Sequence, residues 1–197
     1  MCIRDRCVWS GAWTPTVHLF SHAQGKLNFD EEIGAFVPGE QLGSVQVAGS
    51  ANGSMSLGAC LQQGYEAGSI SSMNSGHKSE QQAKIPQVDD SPETPMQLLW
   101  QVPKTRRSGA KRFVDIQNDV TVEDIELAFS EGYVSVEHLK RYTTLGMGTD
   151  QGRTSNINGL ANLARLRETD IPSVGHTTFR PPYTPVSYTH LTLPTKA

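Results

Sequence analysis

Cysteine, net charge and long apolar runs are all scarce in this chain. Its 197 residues include three cysteines, at positions 2, 7 and 60, which form neither a disulfide framework nor a Cys-x-x-Cys pair. No stretch approaches the roughly 18 consecutive apolar residues of a membrane-spanning helix, so we expect no membrane partner. The formal net charge of −3 lacks the basic excess of nucleic-acid-binding domains, so we expect no nucleic-acid partner. Few cysteines are typical of a reducing compartment, which predicts a cytoplasmic protein.

The histidines and cysteines do not form a zinc-ligand set, so we predict no metal site. Cys60 falls on the apolar face of a predicted helix and is expected to be a small core residue. His138 falls on the exposed side of another predicted helix. No complete catalytic apparatus is apparent, and we predict no catalytic residue in the chain.

Both ends of the chain resemble translated sequencing adapter. Residues 1–6 back-translate into a transposase end used to prepare sequencing libraries, and residues 186–197 into its reverse complement followed by adapter. We therefore expect 1–6 and 186–197 to be adapter artefacts. Residues 7–185 are then expected to be an internal fragment of a longer protein.

Composition divides residues 7–185 into an apolar, Gly-rich part, a linker, a helical part and a Pro-rich extended end. The linker, 69–108, is rich in Ser, Gln and Pro and has too few apolar residues to form a core. Its apolar patch, Met96–Trp100, is expected to lie extended against a neighbouring domain, with Trp100 as the anchor. After Pro172, residues 177–185 are extended by their prolines.

The Gly-rich part predicts strands and one helix. Leu27–Asp30 and Ala35–Pro38 alternate as a hairpin around Gly34, while Cys7–Trp9 and Val45–Gly49 are expected to be strands. A helix follows Ser56, with one apolar face formed by Leu57, Cys60, Leu61 and Tyr65. Strand, glycine turn and helix form half of a dinucleotide-binding unit, but an ordinary packing turn explains the same pattern.

The helical part, 109–170, predicts three helices. Thr121 and Asp124 form a capping box that opens the first, Val122–Glu131, which buries Ile125, Ala128 and Phe129 and ends at Gly132. The second starts at Ser135, buries Val136 and Leu139, and ends before Gly146 with Lys140 and Arg141 near its carboxyl end. The third begins after Gly152 and buries Ile157, Leu160, Ala161 and Ala164.

Three glycines stand in the seven residues Gly146–Gly152 between the second and third helices. They predict positive φ angles and exposed N–H groups beside a helix start. Either a tight structural turn or a contact to an anion or cofactor fits this pattern equally well.

Several long, collinear motifs resemble the alpha subunits of heterotetrameric sarcosine oxidases: Ser10–Pro15, Gly34–Gly39, Phe113–Thr121, Ser135–Gly152 and Thr177–Pro185. The resemblance implies an NAD-binding domain like those of disulfide reductases, a small helical domain and a folate-binding, aminomethyltransferase-like domain. It also implies beta, gamma and delta partner subunits. Such complexes demethylate sarcosine to glycine, passing electrons through flavins to oxygen and the one-carbon unit to tetrahydrofolate.

On this resemblance the fold class is α/β followed by α. Residues 7–68 are the carboxyl-terminal part of the NAD-binding domain, 69–108 the linker, 109–170 the helical domain and 171–185 the start of the folate-binding domain. The fragment is expected to be inactive alone. The corresponding subunit of N-methylglutamate dehydrogenase is an alternative assignment, and a scaffold that binds only partner subunits is another.

The helical domain also resembles small [2Fe-2S] modules, with one departure. The positions of the four ligand cysteines are Asp115, Gln117, Asp150 and Ser155. Because such a cluster requires thiolates, we predict that no iron–sulfur cluster binds.

The resemblance suggests two sets of cofactor contacts. Ser50 replaces an Asp that holds the ribityl chain of FAD in related flavin domains, which weakens FAD binding and is compatible with NAD. The candidate NAD contacts are Gly49, Ser50, Ala51, Ser56 and Leu57. FMN is expected at the alpha–beta interface, with FAD and tetrahydrofolate elsewhere in the complex. The candidate flavin or subunit contacts are Lys140, Arg141, Thr143, Thr144, Asp150 and Gln151.

Overall fold

The computed structural model describes residues 13–40, 43, 45–77, 84–89, 97–104 and 111–179. The predicted strand Cys7–Trp9, Met96 and the prolines beyond Phe179 lie outside these residues. The helices are α1 His18–His22, α2 Leu57–Asn74, α3 Val122–Ser130, α4 Val136–Thr143, α5 Asn156–Arg167 and α6 Ile171–Val174. The strands are β1 Leu27–Asp30, β2 Ala35–Pro38, β3 Phe113–Asp115 and β4 Val120–Thr121. Across the described part of the chain, no helix has the length and apolar character needed to cross a bilayer.

Strands β1 and β2 form the predicted antiparallel hairpin, with Leu27 opposite Pro38 and Asp30 opposite Ala35. The Asp30 side chain accepts hydrogen bonds from the backbone N–H groups of Glu32 and Ile33, which tightens the turn. Gly34 has a φ of +60°, and the side chain of Leu98 occupies the space that a Cβ there would take. The hairpin is therefore confirmed, and Leu98 of the apolar patch packs on its turn.

The strand predicted at Val45–Gly49 is wrong. Residues 45–48 have no regular structure, and Gly49–Asn52 form a 3-10 helix. A strand needs a neighbour for its ladder of hydrogen bonds, but among the described residues β1 and β2 pair only with each other. Gly49 also has a φ of +67°, which a strand does not allow.

Helix α2 extends to Asn74, so the first six residues of the predicted linker 69–108 are helical. The helix continues because Ser69–Asn74 contain neither Gly nor Pro. Gly76, at a φ of +80°, follows its carboxyl end. None of its residues is buried, and Leu57 is 57% exposed. Cys60, predicted as a core residue, is half-buried, and its Sγ donates to the Ser54 carbonyl oxygen at 3.3 Å. Cys60 is not fully buried because α2 packs mainly on the short 3-10 helix Gly49–Asn52 and not on the main core.

The core lies in the helical module, which we define as residues 113–174. In it the hairpin β3–β4 leads into α3, which packs on α4 and α5, while α5 packs on α6. Its buried apolar cluster is Val114, Val120, Val122, Ile125, Ala128, Val136, Leu139, Leu145, Leu160, Leu163, Ala164 and Val174.

The three helices predicted in the helical module are confirmed, with ends shifted by at most a few residues. The capping box is complete, since Thr121 Oγ1 accepts from Asp124 N and Asp124 Oδ2 accepts from Thr121 N. Gly132 ends α3 at a φ of +94°. The buried Leu163 and Asn162 of α5 were not predicted. Phe129 and Ile157, predicted to be buried, are half-buried because each lies at the edge of the core.

Candidate functional site

Asp115, at the end of β3, is the centre of a buried network and is only 1% exposed. Its Oδ1 accepts hydrogen bonds from the backbone N–H groups of Gln117 at 3.0 Å and Asn118 at 3.4 Å. Its Oδ2 accepts from Gly146 N at 2.8 Å and from Ser155 Oγ at 3.4 Å. One carboxylate thus joins the β3–β4 turn to the loop before α5.

Gln117 and Asp150 continue this network on its exposed side. Gln117 Oε1 accepts from Thr149 Oγ1 at 3.0 Å and from Asp150 N at 3.4 Å. The Asp150 carboxylate accepts from Gly152 N at 3.0 Å, Thr154 N at 3.1 Å and Thr154 Oγ1 at 2.6 Å. The structure therefore brings together Asp115, Gln117, Asp150 and Ser155, which we call the polar cluster.

Hydrogen bonding keeps Asp150 ionised. Burial alone would raise the pKa of its carboxyl group, but the Thr154 hydroxyl and the N–H groups of Gly152 and Thr154 lower the pKa below its ordinary value. In the described residues, no group of three or more His, Cys, Asp or Glu side chains is placed to hold a metal ion. The carboxylates of the polar cluster accept hydrogen bonds from the fold itself.

The segment Gly146–Gly152, which we call the glycine loop, has positive φ angles at two of its three glycines. They are +68° at Gly146 and +76° at Gly152, whereas Gly148 has none. A Cβ at Gly146 or Gly152 would collide with Oδ1 of Asn156. The expected exposed N–H groups are not found at Gly146, Asp150 and Gly152, because the polar cluster supplies their acceptors. These three amides are therefore not available to an anion, which favours the structural turn.

The candidate flavin or subunit contacts lie at the carboxyl end of α4. Lys140 Nζ donates to Thr177 Oγ1 at 3.2 Å, and Arg141 is exposed. Thr143 Oγ1 donates to the Leu139 carbonyl, and Thr144 ends α4 in the left-handed conformation at a φ of +63°. The threonines thus shape the helix end. The last candidate in this set, Gln151, has a φ of +54° and its N–H donates to the Gly148 carbonyl.

In the candidate NAD turn, Gly49–Leu57, several backbone and side-chain groups already form hydrogen bonds within the protein. Gly49 N donates to Gln63 Oε1 at 2.9 Å, and Ser54 N donates to the Gly49 carbonyl. The Ser56 hydroxyl accepts from Ala59 N at 3.2 Å and so caps α2. Ser50 and Leu57 are exposed and Ala51 is half-buried. The turn is accessible, but these amides and the Ser56 side chain are already bonded.

Sequence reasoning missed a cavity of about 90 Å³ beside His18, which we call the His18 cavity. It lies between residues 14–18, the β1–β2 hairpin, the start of α5 and residues 176–179. The ring centroids of His18 and Phe179 lie 3.8 Å apart, and those of Phe36 and His176 lie 5.3 Å apart.

His18 is 4% exposed. Burial, the positive charge of Arg153 and the neighbouring His22 together lower the pKa of its imidazole to about 4. The ring is therefore neutral at physiological pH.

Comparison with known proteins connects this architecture to a family. Residues 109–193, which include the helical module, match the family model of the sarcosine oxidase A3 domain. Over these residues, the chain is similar to the sarcosine oxidase A3 domain, and the polar cluster lies within the matched residues. The match reaches residue 193, inside 186–197, so the adapter origin of that segment stays a prediction.

The similarity to sarcosine oxidase continues beyond the A3 domain. The chain is 39% identical to subunit alpha of sarcosine oxidase from Rhizobium meliloti (strain 1021), over 95% of the chain and 19% of that subunit. It is 38% identical to the same subunit from Corynebacterium sp. (strain U-96), over 92% of the chain and 19% of that subunit. The chain thus spans about a fifth of the length of these curated relatives.

The fold also has a solved relative. L-proline dehydrogenase from P. horikoshii superposes with a TM-score of 0.63, covering 87% of this chain and 36% of that one. At 21% sequence identity the likeness concerns the fold alone. The mixed helix and sheet fold is therefore confirmed, whereas its assignment to an NAD-binding part and a cluster-like part stays a prediction.

Proposed function

We propose that the chain is part of the alpha subunit of a flavin-dependent oxidase complex that demethylates sarcosine to glycine. The one-carbon unit passes to tetrahydrofolate and the electrons pass to oxygen. The observation that carries this proposal is the similarity to sarcosine oxidase subunit alpha along 92–95% of the chain.

In this proposal the chain contributes structure and contacts rather than the reacting groups. The described residues contain a cavity and a polar network, but the polar cluster is saturated by hydrogen bonds from its own backbone. Saturated carboxylates hold a loop in place and are poor proton carriers. The reacting groups then belong to other parts of the complex, which the beta, gamma and delta subunits complete.

The helical module is proposed to face the flavin at the alpha–beta interface through its basic helix end. Arg141 is exposed, and the ammonium group of Lys140, which carries three donors, lies next to it in the chain and donates to Thr177. Cations at the carboxyl end of a helix suit the phosphate of FMN. The amides of Gly146 and Gly152 are already bonded, so the contact belongs to the side chains of Lys140 and Arg141.

NAD is proposed to contact the turn Gly49–Leu57. Of the five candidates, Ser50 and Leu57 are exposed and are the ones that a dinucleotide can reach without displacing an internal bond. Gly49 and Ser56 shape the turn, and Ala51 lines it. FAD and tetrahydrofolate bind elsewhere in the complex.

A chimeric oxidase tests this proposal. The matching segment of the Rhizobium meliloti alpha subunit is replaced by residues 7–185, and the chimera is coexpressed with its three partner subunits. We expect a tetramer that consumes oxygen when sarcosine is added. A chimera that assembles but oxidises no sarcosine contradicts the oxidase assignment.

Two alternatives are separated by extending this experiment, one with other partner subunits and one with a variant of the chimera. A subunit of N-methylglutamate dehydrogenase would assemble with the partners of that enzyme and oxidise N-methylglutamate instead. A pure scaffold is favoured by the saturated amides of the glycine loop. It would assemble normally, and Lys140→Ala together with Arg141→Ala would leave the flavin content unchanged.

A further inference from the structure

An open groove lies on the helical module between the end of the β3–β4 turn, α3 and α4, and we call it the Tyr142 groove. Its volume is about 380 Å³. Its walls combine carboxylate, amide, hydroxyl and apolar side chains, which belong to Asn118, Asp119, Val120, Asp124, Leu127, Tyr142 and Thr143. The groove shares no lining residue with the His18 cavity.

Two carboxylates of the groove have oxygen atoms that can accept further hydrogen bonds. Asp119 is exposed, and its carboxylate forms no hydrogen bond or ion pair with any residue that the structure describes. Asp124 uses Oδ2 to accept from the N–H and the hydroxyl of Thr121, at 2.8 Å and 2.7 Å, so its Oδ1 is open to another donor. None of the described lining residues is positively charged. The groove therefore attracts a cation.

Tyr142 gives the groove an aromatic wall. Its ring stacks on the ring of Tyr133, with the centroids 4.5 Å apart and an angle of 28° between the planes. Tyr133 does not line the groove, and Tyr142 is still 42% exposed. An aromatic ring beside a carboxylate suits a guanidinium group, because that planar cation can stack on the ring while its N–H groups bind the carboxylate.

The size and the surroundings of the groove fit a side chain that is presented by another polypeptide. A cavity of roughly 150 Å³ holds one benzene molecule, and the groove has more than twice that volume, which is enough for a guanidinium group and the alkyl chain that carries it. Leu127 is 51% exposed, and Ile116 in the β3–β4 turn is 82% exposed. Exposed apolar side chains around a polar pocket are typical of a surface that another protein covers. Arginine is enriched in such interfaces.

We propose that the Tyr142 groove docks an arginine side chain of a partner protein. The guanidinium stacks on Tyr142 and pairs with the carboxylate of Asp119, while the alkyl part of the side chain lies on Leu127. Asp124 adds negative charge to the groove. A lysine side chain fits less well, because its ammonium group is a compact charge without a planar face. The proposal rests on the groove and not on the proposed oxidase function, so each can fail without the other.

Peptides that differ at one residue test the proposal on the full 197-residue chain. Acetyl-Ala-Arg-Ala-amide carries the arginine, and the same peptide with citrulline is a neutral control of nearly equal shape. Chemical shifts of the Leu127 methyl groups report binding by NMR. We expect saturable shifts with the arginine peptide at millimolar concentration, and at least tenfold weaker binding of the citrulline peptide. Equal binding of the two peptides, or no saturable shift with the arginine peptide, overturns the proposal.

Two further probes test other occupants of the groove. The corresponding lysine peptide should bind at least threefold more weakly than the arginine peptide, because it cannot stack and form paired hydrogen bonds. Guanidinium chloride, which represents a small cation, should bind at least tenfold more weakly, because it lacks the alkyl chain and the peptide backbone. A lysine peptide or a free guanidinium ion that binds as tightly as the arginine peptide overturns the assignment.

Matched substitutions locate the two contacts. Asp119→Asn removes the charge but keeps a residue type that tolerates the φ of +54° at this position, and we expect about tenfold weaker binding of the arginine peptide. Asp89→Asn makes the same change of charge in the linker, outside the groove, and leaves binding unchanged. Tyr142→Leu should weaken binding about threefold, whereas Tyr142→Phe keeps the ring and the affinity.

Circular dichroism verifies that the four variants stay folded. Arginine-peptide binding at full strength in Asp119→Asn rules out the carboxylate contact, and full strength in Tyr142→Leu rules out the stacking contact. Either result overturns the proposed mode of docking.

Discussion

The carboxylate of Asp115 accepts a hydrogen bond from the backbone N–H of Gly146 at 2.8 Å, across 31 residues of chain. The same carboxylate accepts bonds from Gln117, Asn118 and Ser155. Because Asp115 is buried, no water replaces these bonds when the carboxylate is removed. Asp115 therefore holds the β3–β4 turn and the glycine loop together.

Asp115→Ala should lower the free energy of unfolding by about 3 kcal/mol, since it leaves buried donors without an acceptor. Urea unfolding followed by circular dichroism measures this change. Asp89→Ala, at an exposed carboxylate of the linker, is the control and should change stability by less than about 0.5 kcal/mol. Equal effects of the two substitutions would show that the Asp115 network does not stabilise the fold.

Gly146→Ala tests the fit of the glycine loop around Asn156. We expect a loss of about 3 kcal/mol, because the new Cβ meets both a positive φ and the side chain of Asn156. Gly132→Ala is the matched control: its φ is +94°, and no described atom lies within 4 Å of the position of its Cβ. It should cost about 1 kcal/mol.

The double variant Gly146→Ala with Asn156→Ala separates the two contributions. Removing the Asn156 side chain should restore part of the stability lost by Gly146→Ala, and should not help Gly132→Ala. Thermal unfolding of the three single variants and of the two double variants, in which Asn156→Ala is combined with each glycine substitution, gives the coupling. Purely additive losses would mean that Asn156 does not determine the residue at position 146.

The lowered pKa of Asp150 predicts a pH-dependent contribution to stability. The ionised group stabilises the fold at pH values above its unfolded pKa of about 3.9, and this contribution is lost as the pH falls through the lower folded pKa. Wild type should therefore exceed Asp150→Asn in stability at neutral pH, with a difference that shrinks below about pH 4. Urea titrations at several pH values measure it; a difference that grows toward acid would refute the assignment.

Replacing the four residues of the polar cluster by cysteine should create an iron–sulfur site. In the variant with Asp115, Gln117, Asp150 and Ser155 all replaced by Cys, four thiolates converge where the hydrogen bonds now lie, and a cluster can be assembled from iron and sulfide. We expect iron, sulfide and a visible absorption band in this variant, and none in wild type. Iron in wild type would contradict the prediction that no cluster binds.

The helical module was predictable because its signals are local. Thr121 and Asp124 specify a helix start, Gly132 specifies its end, and the spacing of Val136 and Leu139 specifies a buried face. Each of these depends on residues within a turn or two of one another. The sequence therefore yields the correct helices with small shifts at their ends.

The strand predicted at Val45–Gly49 failed because a strand depends on its neighbour. The apolar alternation was present, but the described part of the chain has no partner strand for it. The His18 cavity was missed for a similar reason. Its walls come from residues more than 100 positions apart, and only the folded chain shows that Val17 and Leu160 line one space.

The bonds from Asp115 to Gly146 and Ser155 close loops of 31 and 40 residues. Closing such loops costs entropy before any contact is gained, so these bonds form late in folding, after α3, α4 and α5 have met. We therefore expect the Gly146 amide to exchange its hydrogen with solvent only when the whole helical module unfolds. A single buried carboxylate would then make two short strands and three helices one cooperative unit.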